Sequence, residues 1–158
     1  MVMAASVLAT ELLNLDPVPT EAQAIQTLAD AYAVFAADAV AGAQPITPAG
    51  VAAGKAAMIA ALPGMNSPGA SAMVLATAVQ AFWGAAALGL ATSFAGATAI
   101  VPPPNAGLQA LLTSDFSTNT GSSASKAAAT SLLANDFYAQ SVIGGTVTYP
   151  GPIVSPIL

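Results

Sequence analysis

Three groups of residues in this sequence have types and spacings that could do chemistry. Ser123-Ala124-Ser125-Lys126 has the S-x-x-K spacing of serine acyl-enzymes, where a lysine one helical turn from the serine eases removal of its proton. The S-D-N and K-T-G elements that accompany it in such enzymes are absent, and a serine-rich stretch ahead of a helix supplies the same letters as a helix start. Gly50-Val51-Ala52-Ala53-Gly54-Lys55 approaches a phosphate-binding loop. It is one residue short between the glycines, has Ala56 where Ser or Thr must reach magnesium, and falls within a stretch bounded by helix start and stop signals. The third group is the acids, of which a glycosidase needs two about 5–10 Å apart. Asp30 and Asp38 stand eight residues apart, about 12 Å along a helix axis, which is too far. Asp115 and Asp136 can meet only through folding, and solvated acids on helix faces are the expected arrangement.

Composition removes most other chemistry. The 158-residue chain has no His, no Cys and no Arg, and Lys55 and Lys126 are its only basic side chains. Zinc, haem, iron–sulfur and copper sites lose their usual ligands, and disulfides and thiol catalysis are excluded. Two cations against seven acids cannot supply the phosphate-neutralising surface that DNA or RNA requires. No catalytic, cofactor-binding or metal-ligating residue is therefore assigned. Charged residues make up 6% of the chain, against about 25% in ordinary soluble domains, and mean hydropathy is +0.73. Ala alone is about a quarter of the sequence. A GC-rich genome would favour Ala, but it would favour Arg as well, so charge depletion reflects selection on the surface. The first residues have no positive segment, and Glu11 interrupts their apolar run, which argues against a cleaved secretory signal and for a mature start at Met1 or Val2.

The punctuation of the chain predicts the elements that position these residues. A short helix is expected over 4–13, closed by Asn14 and the Pro17/Pro19 pair. Thr20 and Gln23 form a capping box, and Ile25, Leu28, Tyr32, Phe35 and Ala39 recur at helical spacing, predicting a helix to about residue 41. Thr47-Pro48 opens a third helix that Pro63-Gly64 closes, and Ser67-Pro68 opens a fourth to about residue 90. Residues 93–101 are expected to be extended and Pro102-Pro103-Pro104 to form polyproline II. A short helix over 108–116, a polar loop over 114–125 and a final helix over 124–142 follow. The fold expected is mainly α: an Ala-rich helical bundle over 1–144 with an extended, Pro-rich C-terminal arm over 145–158, and short β segments near 93–101 and 146–149.

The long uncharged stretch raises a membrane alternative. Between Lys55 and Asp115 lie 59 residues without a charge, and 72–90 is a near-continuous apolar helix of spanning length. Against lipid, no basic residue flanks it closely, Gln80 and Trp83 sit in its middle, and its hydropathy comes mainly from Ala. Burial of this helix in protein is expected instead, with Phe82 and Trp83 in the core or a subunit contact.

The order of features is also familiar. Asp30-Ala31-Tyr32 on a capped helix, the Ala-rich helix after Pro48, Phe82-Trp83, Phe94-Ala95-Gly96-Ala97, the triple proline and Gly145-Thr146-Val147-Thr148-Tyr149-Pro150-Gly151-Pro152 together resemble small virion structural proteins of tailed bacteriophages. The likeness lies in texture and order across most of the chain, and no functional residue is carried over from it. It implies a non-enzymatic subunit of the neck, tail or baseplate, assembled in the host cytoplasm, whose partners are its own copies and other virion proteins. The expected contact residues are Phe82 and Trp83 together with Tyr149, Ile153, Val154 and Ile157 of the arm, which is expected to lie on an adjacent subunit. A small helical integral membrane protein is the alternative, and a carbohydrate-active enzyme a distant third.

Overall fold

The computed structural model describes residues 3–14, 20–42, 44–64, 68–88, 95–101, 105–119, 126–150 and 153–157. Six helices run through them: α1 (Ala5–Leu13), α2 (Glu21–Ala36), α3 (Pro48–Ala61), α4 (Pro68–Leu88), α5 (Asn105–Asn119) and α6 (Lys126–Gly144). Five short strands accompany them: β1 (Val40–Ala41), β2 (Gln44–Pro45), β3 (Ala99–Val101), β4 (Thr146–Tyr149) and β5 (Ile153–Pro156). Mainly α architecture is thus as expected from the punctuation.

The start signals act as their chemistry requires. Thr20 Oγ1 accepts the Gln23 backbone N–H at 3.2 Å, and Thr47 Oγ1 accepts that of Gly50 at 3.2 Å, with Pro48 in the first turn of α3. The Ser67 signal and the triple proline lie outside the described residues. Some boundaries move. α2 ends at Ala36 rather than near residue 41, because the chain turns at Ala37–Asp38 into a tight β1–β2 hairpin whose Gly42 has a φ of 63°. α5 continues to Asn119, taking up residues 114–119 that a polar composition had marked as loop. Side-chain hydrogen bonds from Thr113 to Gln109 O and from Ser117 to Ser114 O keep those small hydroxyls occupied along the helix.

The helices close a circuit. α1 packs on α2, α2 on α3, α3 on α4, α4 on α5, α5 on α6, and α6 back on α1. Inside it Tyr32 of α2 is the hub. Its ring lies 5.6 Å from Phe35, 5.1 Å from Phe82 of α4 and 5.6 Å from Phe137 of α6, the last two edge-on, and Trp83 Nε1 donates to its hydroxyl at 2.9 Å. All five side chains are inaccessible to solvent. Edge-on aromatic pairs add to the area they bury, and a buried indole N–H needs the acceptor that Tyr32 supplies. The total surface of 7358 Å² is close to the roughly 7,100 Å² expected of a compact monomer of this mass.

Residues 146–149 and 153–156 are extended, as expected. β4 is central in a three-stranded antiparallel sheet ordered β3-β4-β5, and the prolines sort around it: Pro150 ends β4, and Pro156 lies on edge strand β5. Both strands are anchored within the same chain. Val147 and Ile157 belong to the central core, Ile157 N donates to Gly145 O and bridges to Ala41, and the Tyr149 hydroxyl donates to Ala41 O at 2.9 Å.

Candidate functional site

The acids sort into two arrangements. Asp30, on the outer side of α2, forms an ion pair with Lys55 of α3 and accepts from Gln26 at 3.2 Å. The Lys55 ammonium holds the Asp30 carboxyl below the usual carboxylate range, against a smaller opposing effect of burial. Both side chains are partly solvated, so the pair orders α2 against α3 without contributing much stability. This occupies Lys55, the cation of the loop-like glycine pattern. The glycines themselves face the core: a Cβ on Gly54 would stand 2.8 Å from ring carbons of Phe82. The pattern Gly50–Lys55 is a helix surface cut away for an aromatic ring, not a loop around phosphate.

Asp115 and Asp136 do meet. On α5, Leu108 and Leu112 are buried, and Asp115 follows one turn on along the same stripe; on α6, Asp136 lies one turn after half-buried Leu133. Packing of α5 on α6 brings the two carboxyl groups into hydrogen-bonding contact. Asp136 Oδ2 is buried and has no hydrogen-bond partner. Burial, then the Asp115 charge, then the hydrogen bond that the protonated Asp136 donates to Asp115 push the Asp136 carboxyl up to about 6. The expectation of two solvated acids is corrected for Asp136, which shares a helix face with half-buried Leu133 and has one carboxyl oxygen buried where α6 packs on α5. A directly hydrogen-bonded pair is closer than the roughly 5–5.5 Å of a retaining glycosidase or the wider gap of an inverting one. The neighbouring cavity, lined by Leu112, Asp115, Phe116, Ala129, Leu132 and Leu133, has a volume of about 60 Å³. That is room for water-sized occupants, not a sugar ring.

Of the residues expected at contacts, Phe82 and Trp83 lie wholly in this chain's core, the first of the two places expected for them, and Ile157 is buried in the same core. Tyr149 is half-buried by its bond to Ala41, and burial raises its hydroxyl above the ordinary tyrosine value. Ile153 stands opposite Tyr149 in the register, its side chain outside the described residues. Val154 is 60% exposed. Antiparallel register puts it on one face with Thr148, and puts Val101, 54% exposed, on that face with Thr146 and Pro156. That outer sheet face has no charged residue. Val34, Met73, Leu111 and Leu132 add exposed apolar side chains on α2, α4, α5 and α6.

Among the described residues no cluster of three or more acids could hold a metal ion, Ser123 lies outside them, and no helix is long and apolar enough to cross a membrane. Compared with known proteins, the chain matches no family model, no curated sequence and no solved structure.

Proposed function

We propose that this chain is a non-enzymatic structural subunit of a tailed-phage particle, acting in its neck, tail or baseplate through contacts with its own copies and with other virion proteins. The observation that carries the proposal is the surface. Exposed apolar side chains occurring singly are ordinary on soluble proteins. Here they are spread over four helices and a sheet face on a chain with nine charged residues in 158, so little ionic surface separates them. Such a surface suits burial against other protein. The resemblance in order and texture to small virion proteins supplies the kind of assembly.

The test is co-purification. Antibody to the chain should detect it in density-purified phage particles, at a fixed ratio to the major capsid protein, after washing in high salt. Recovery only from the membrane fraction, released by detergent, would overturn the proposal in favour of the lipid alternative.

A further inference from the structure

We propose that Asp115 and Asp136 share one proton across the α5–α6 contact, and that losing it near neutral pH loosens α5 from α6, giving the bundle a pH-sensitive seam. This stands apart from the assembly proposal and does not depend on it.

The geometry requires the proton. Two carboxyl groups can hydrogen-bond to each other only if one of them carries a hydrogen, so the docked pair holds at most one negative charge. Oδ2 of Asp136 is buried without a partner, so ionising that group places charge on an atom with no donor to receive it. Among the described residues, the elements packed against α6 bring it no basic side chain. α6 packs against α1, α5 and β5; the titratable side chains on those elements are Glu11 and Asp115, both acids, and β5 has none. On α6 itself the others are Tyr138 and, ten residues upstream, Lys126.

The sign follows from the direction of the shift. The Asp136 carboxyl is raised in the folded protein to about 6 from an ordinary 3.8. The folded chain therefore keeps a proton that the unfolded chain gives up near pH 4. Its contribution to stability is complete below that pH and is lost as pH rises through about 6. The sequence makes the effect separable. With no His, no side chain of ordinary pKa changes charge between pH 5 and 7.

Amide hydrogen exchange on the full chain, corrected for the intrinsic pH dependence of exchange, reads the seam directly. Protection of residues 105–119 should fall roughly three- to tenfold from pH 5 to pH 7 while that of α2 and α3 holds. Asp136→Asn, neutral at both pH values, should abolish the change, and Asp115→Asn, which removes the repelling charge but keeps Asp136, should shrink it. The second variant serves if the first does not fold. Equal protection of 105–119 at the two pH values in the natural chain, or a pH change that persists in a folded Asp136→Asn protein, would overturn the proposal.

Discussion

Gly54 and Phe82 meet where α3 crosses α4, and the contact depends on the absence of one carbon. A methyl at residue 54 would sit 2.8 Å from ring carbons of Phe82, itself fully buried among Tyr32 and Trp83. Alanine normally favours a helix over glycine by about 1 kcal/mol. Overpacking a filled core costs about 1–3 kcal/mol, so the clash should win. Gly54→Ala is expected to lower stability by up to about 2 kcal/mol in urea unfolding, and a stabilised variant would show that the ring moves aside freely. This reason was not legible in the sequence, where Gly54 is one more small residue in an Ala-rich helix. Asp136 was hidden differently. Its half-inward face on α6 could have been read from Leu133 one turn before it, but its partner is 21 positions away, on α5. Ordinary spacing rules within one helix do not reach that far.

At the scale of elements, helix starts were legible from local signals, while helix ends and long-range pairing were not. The Thr20 and Thr47 caps are decided by neighbours within three residues, and the structure keeps both. The strands near 99–101 and 146–149 were visible as β-branched runs, yet nothing local says that they pair with each other or that β5 completes the sheet. The consequence concerns residues 145–158. Expectation from sequence made them an arm whose loss would leave the domain intact. In the fold their removal strips Val147 and Ile157 from the core, takes the partner of β3, and breaks the Tyr149–Ala41 bond. Each fully buried aliphatic side chain is worth about 1.5–3 kcal/mol, against about 5–15 kcal/mol for a whole domain. A chain ending at residue 144 should therefore lose its cooperative thermal transition or show a Tm lower by roughly 10 °C or more. An unchanged melting curve would show that the segment works outside its own domain after all.

At the scale of the molecule, the question is what the uncharged surface does when no partner is present. Net charge is −5, and seven acids and two lysines serve the whole chain. Two of those charges, Asp30 and Lys55, neutralise each other, and Asp136 is turned inward. Long-range repulsion between copies is therefore weak, and at about 0.15 M salt it is screened beyond about 8 Å. Contacts between apolar surfaces are left to decide. The purified chain at micromolar concentration should scatter light as species larger than its 15.3 kDa monomer. Raising salt should not dissolve them, because the attraction is not ionic. Lysine substitutions at Val34, Met73 and Val154, all exposed and none a member of the core, should shift the population toward monomer while leaving the circular dichroism spectrum unchanged. A natural chain that is monodisperse at 15.3 kDa, or an assembly that ignores all three lysines and disperses in salt, would remove the surface argument on which the structural role rests.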